Sequence, residues 1–113
     1  MGDWRELLES ALSQAEQDLA AASGDRSLCA ISRGDGASSE RMPTVKMAEG
    51  GWAALRSLRG SDSKDELLHR IDEGMDSARH QLQLDRGPAW QAYATGALTE
   101  LMRLQERLDS AAS

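Results

Sequence analysis

Trp90, Tyr93, Ala94, Ala97, Leu101, Leu104 and Leu108 recur at helical spacing, and a rotation of about 100° per residue lays them all along one side of an α-helix. A β-strand would scatter the same residues over both faces. Pro88 fits the first turn of this helix, where its missing N–H costs nothing, and Gly87 precedes it as a turn residue. Two other segments carry the same signature. Trp4, Leu7, Leu8, Ala11, Leu12, Ala15 and Leu19 share one side of a helix predicted over 4–23, with Asp3 as N-cap, Glu6 at the capping-box spacing and Gly24 as the stop. Ser63 and Glu66 form a capping box ahead of Leu67, Leu68, Ile71, Met75, Ala78 and Leu82, a stripe that ends near Asp85.

Between these lies a weaker segment. From Pro43 to Arg59, the residues Met47, Ala48, Gly51, Trp52, Leu55 and Leu58 cluster on one face, but Gly50 and Gly51 in mid-helix each cost about 1 kcal/mol relative to Ala. The expected fold is all-α: about four amphipathic helices in an up-down bundle, one domain over 1–113, with 24–43 a long flexible or irregular loop between helices 1 and 2. Short connections at Gly60-Ser61-Asp62 and from Asp85 to Pro88 favour antiparallel neighbours. The alternative is α+β. If the second helix starts only after its glycines, Leu28 to Ser32 and Thr44 to Met47 can pair as a small β-hairpin within 27–47, around Arg33-Gly34-Asp35-Gly36. As a coil the long loop spans roughly 25 Å, enough for the first helix to dock on its own chain or on a neighbour, which leaves a homodimer open.

Acidic side chains outnumber basic ones by 19 to 13, a net charge of −6 over 113 residues. That balance argues against sequence-independent binding of phosphate backbones, which draws on a surplus of cations, and makes another protein with a basic surface the expected partner. The charge is uneven, since Arg26, Arg33, Arg41, Lys46, Arg56 and Arg59 leave residues 25–60 mildly basic. Weak, salt-sensitive nucleic-acid binding through this patch is a further alternative. Phe is absent, so three Trp, one Tyr and Ala-rich faces must fill the core, or a second subunit must help. No apolar run approaches the 18 or so residues of a membrane span. The N-terminus lacks the basic and apolar regions of a signal peptide, and the lone Cys29 closes no internal disulfide; a cytoplasmic protein with no membrane role is expected.

The pattern richest in chemistry is a row on the third helix. Glu66, His69, Glu73, Asp76 and His80 follow one another at alternating spacings of three and four, which aligns five potential metal ligands and supports a metal-dependent enzyme as an alternative function. Glu66 and His69 also have the Glu-x-x-His spacing of carboxylate-bridged di-iron bundles, which need two such motifs; one is present. The row points about 160° away from the apolar stripe of its helix, so a solvated face is expected. Glu6-x-x-Glu9 and Glu73-x-x-Asp76 resemble the magnesium-holding motifs of the all-α nucleoside triphosphate pyrophosphohydrolases. They stand much further apart in sequence than in that family, and opposite their apolar stripes, so no membership follows. No phosphate loop and no nucleophile signature around Cys29 is present, and no catalytic residue or cofactor is assigned.

Trp4, Trp52 and Trp90 each head or centre an apolar stripe and are expected in the core. Tryptophan is also enriched at binding hot spots. Trp52 is the candidate to face a partner, because two glycines precede it and Arg56 and Arg59 flank it; Arg33 and Arg41 complete the partner-binding set. The function expected from these features is a small acidic helical interaction module, an adaptor, complex subunit or inhibitor, that acts through helix-face contacts.

Overall fold

A computed structural model describes the backbone of residues 3–23 and 36–112 and the side chains of 3–22 and 43–110. It is an all-α bundle of four helices: α1 Trp4–Ser23, α2 Gly36–Arg56, α3 Lys64–Leu84 and α4 Pro88–Ala112, with no strand among the described residues. None of the helices is long and apolar enough to cross a membrane.

Helix ends close through the residues that the capping rules single out. Asp3 Oδ1 accepts the Arg5 N–H at 3.1 Å. At α3, Ser63 Oγ accepts the Glu66 N–H at 3.1 Å, and Glu66 Oε2 reaches back to accept the Asp62 N–H at 2.8 Å. Donors that the first turn leaves without helical partners are thereby satisfied. The helix stops at Asp85, which adopts the left-handed conformation at φ 50. Gly87, at φ 112, then turns the chain into Pro88.

α2 departs from expectation at its start. It begins at Gly36, so Pro43 lies inside it and the 36–43 part of the expected loop is helical; residues 24–35 lie outside the described ones. Ala37, Glu40, Arg41 and Met42 are good helix formers, and Pro43 forfeits the one bond that an N–H there would give to the Ser39 carbonyl. Thr44 to Met47 is helical as well, which removes one strand of the alternative hairpin; Leu28 to Ser32 lies outside the described residues.

Gly50 and Gly51 do not delay the helix, because they lie where α4 arrives. A Cβ on Gly50 would overlap the Tyr93 carbonyl oxygen and stand 2.8 Å from its carbon; one on Gly96 would overlap the Met47 carbonyl oxygen and stand 2.6 Å from its carbon. Each helix thus presents a glycine to the other's backbone. Dispersion across this main-chain contact opposes the intrinsic cost of the glycines.

α4 is the central element. It packs on α2 and on α3, whose contact with each other is slight, while α1 covers α2 and reaches α4. Neighbours in sequence alternate in direction: Glu9 near the start of α1 meets Arg59 just after α2, and Gln105 and Gln91 of α4 hydrogen-bond Asp72 and Leu82 of α3. The buried cluster comprises Leu8, Leu12, Leu55, Leu58, Leu67, Ile71, Leu101, Leu104 and Leu108 with Ala15 and Met75. Leucines, rather than the aromatic residues, therefore compensate for the missing Phe; each contributes about 1.5–3 kcal/mol by burial. Trp4 and Trp52 pack on the margin of this cluster.

Candidate interaction surface

Toward the end of the bundle where α3 closes and α4 begins, the facing side chains become small. Ala54 on α2, Gly74 and Ala78 on α3, and Ala94 and Ala97 on α4 line a groove of about 280 Å³. It exists because α2 and α3 both lean on α4 rather than on each other. Trp90 and Tyr93 form its aromatic wall, with ring centroids 6.1 Å apart and planes at 64°, an edge-to-face pair. A second hollow of about 320 Å³ uses the same two rings together with Ala89 and Lys46.

Trp90 keeps 52% of its surface exposed, and Leu84 at the last turn of α3 keeps 41%. Among the described lining residues of both hollows the charged ones are Arg70 and Lys46. Each also pairs within its own helix, Arg70 with Glu66 at 2.8 Å and Lys46 with Glu49 at 3.2 Å. Gln81 Oε1 lies buried in the groove wall without a hydrogen-bond partner.

Trp52, Arg56 and Arg59, expected to face a partner, lie on a different part of the surface. Trp52 is half-buried against the leucine cluster, and the Arg56 guanidinium lies 5.0 Å from the centre of its ring, a cation–π contact. Arg59 is held by Glu9 through two hydrogen bonds, Nε to Oε2 at 3.3 Å and a terminal nitrogen to Oε1 at 3.0 Å. That carboxylate raises the guanidinium pKa above its ordinary value, by hydrogen bonding first and charge second. Arg33 lies outside the described residues; Arg41 belongs to α2, with its side chain outside the described ones. The most exposed Trp is Trp90, contrary to the core position expected for it. One signal pointed to it: Gly87-Pro88 starts α4 immediately before Trp90, so this first turn of the stripe lies at the edge of the bundle, where neighbours no longer cover it.

The carboxylate and histidine row lies on the outer face of α3, opposite buried Leu67, Ile71, Met75 and Ala78. Its members pair locally: Glu66 with Arg70, His69 with Glu73 at 3.2 Å, and Asp76 with Arg79 at 3.6 Å, while His80 is exposed. Among the described residues no three His, Cys, Asp or Glu side chains converge as ligands for a metal. Glu6 and Glu9 on α1 are likewise not joined to Glu73 and Asp76 on α3.

Glu66 has a structural role. The Asp62 N–H above all holds its carboxyl below the ordinary carboxylate value; burial opposes this, and the charge and hydrogen bond of Arg70 add to the lowering. A group whose pKa is lowered by folding stabilises the fold above its unfolded value, and that contribution vanishes as pH falls through the folded value. Glu66→Gln is therefore expected to be less stable than the native chain at neutral pH, with the gap closing in acid. Thermal melts across the acid range check this; a constant gap would contradict it.

The chain matches no protein-family model, no curated protein and no solved structure in these comparisons.

Proposed function

We propose that the chain is a helical protein-interaction module that receives a partner on the Trp90 groove. The observation that carries this reading is Trp90 itself, half exposed between two preformed hollows while Trp4 and Trp52 pack on the leucine cluster. Exposed tryptophans beside concave apolar surface are the usual anchors of protein interfaces, and truncating one costs about 2 kcal/mol or more of binding, roughly a 30-fold loss. The acidic surplus on the rest of the surface keeps such a module from self-association through like-charge repulsion.

The test compares the native chain with Trp90→Ala. Because the indole is largely outside the core, the variant should keep its helix content and melting temperature to within a few degrees. Cross-linking and mass spectrometry in the native host should recover a partner with the native chain and lose it with the variant. Retention of the same partner by Trp90→Ala, or recovery of the free chain alone, would overturn the proposal.

A further inference from the structure

We infer that the groove between α2 and α3 seats an amphipathic α-helix of a partner protein, with acidic residues beside its apolar stripe. The inference rests on the interaction reading above and specifies what fills the seat. The shape is the first argument. Two helices flank the groove and a third forms its floor, so the vacant position is the one a further helix would take in closing a bundle around α4. Arg70 and Gln81, both in the α3 wall, are eleven residues apart, about 16 Å along the axis, or three turns of helix. Ala54, Gly74, Ala78, Ala94 and Ala97 recede from this space. Leucine- or phenylalanine-sized side chains at i, i+3, i+4 and i+7 of a docked helix would fill it.

Charge selects the flanks. In a chain where acids outnumber bases 19 to 13, the charged residues lining the two hollows among the described residues are both cations, Arg70 and Lys46. Glu66 and Glu49, which pair with these cations, are not lining residues. A helix flanked by carboxylates therefore meets opposite charge at both hollows, whereas lysine flanks meet like charge.

The experiment titrates two stapled model helices into the isotope-labelled full chain. Both carry the same leucine stripe; one has Glu and the other Lys at the flanking positions. The Glu-flanked helix should shift the amide signals of Ala54, Gly74 and Ala97. It should also bind about 10-fold more tightly than the Lys-flanked helix at low salt, with the difference shrinking as salt rises. Lys46→Glu and Arg70→Gln, each checked by its melting temperature, should narrow or reverse the preference. Equal binding, a preference for Lys, signal shifts elsewhere or no binding overturns the inference. So does a sedimenting dimer that Trp90→Ala dissolves, because the occupant is then a second copy. If Trp90→Ala still abolishes capture of the native partner while the model helices show no preference, the interaction seat survives and its acidic-helix occupant does not.

Discussion

Gly96→Ala is expected to destabilise the protein by about 3 kcal/mol, the upper part of the range for overpacking a close-packed site. On an exposed helix the same change would stabilise by about 1 kcal/mol, because glycine is the poorer helix former. The sign inverts here because the new methyl group would collide with the Met47 carbonyl. A backbone carbonyl inside a helix cannot swing aside as a side chain can, so α2 and α4 would have to separate, loosening the packing on both sides of their contact. Gly50→Ala should behave alike, through the Tyr93 carbonyl. Gly74→Ala is the internal control: its Cβ would meet Leu101 Cδ1 at 2.8 Å, a flexible side-chain end that can rotate, so propensity and crowding should nearly cancel. Urea unfolding followed by circular dichroism and tryptophan fluorescence measures all three variants. A Gly96→Ala protein at least as stable as the native chain would show that the glycine is incidental to the packing.

Leu55→Ala should cost about 2–5 kcal/mol. Leu55 is fully buried in the cluster that α1, α3 and α4 also enter, so no single neighbour can relax into the space that truncation leaves. Against the roughly 6–17 kcal/mol expected for a domain of this length, that loss is large enough to leave part of the population unfolded at physiological temperature. Leu84→Ala removes the same atoms from a site 41% exposed and should change stability by much less. Equal losses at the two positions in chemical denaturation would mean that burial does not set the cost.

The legible parts of the fold were those governed by local chemistry. Ser63, Glu66, Asp85 and Pro88 each act within one turn of themselves, and the starts of α1 and α4 and both ends of α3 follow from such residues. α2 was harder to read because its glycines are disfavoured locally and make sense only against α4, more than forty residues away in sequence. The same limit governed the candidate surface. Periodicity reports which face of a helix turns inward but not where along the axis the neighbours end, so Trp90 and Trp52 look equivalent in sequence although one lies at the edge of the bundle and the other against its leucines. The outward direction of the Glu66 to His80 row, by contrast, follows from its phase relative to the apolar stripe of the same helix, and the burial along α3 agrees with it.

The main-chain contact between α2 and α4 also bears on the order in which the bundle assembles. α3 and α4 are joined by a turn of three residues and can pair as soon as both are helical. The contact of Gly50 and Gly96 with the opposite backbone, however, closes a loop that contains all of α3, at a greater entropic cost. This main-chain contact is thus expected to form late. Steric damage there should appear mainly as faster unfolding, with the folding rate little changed, which makes the two glycines the determinants of how long the native state persists rather than of how quickly it is reached.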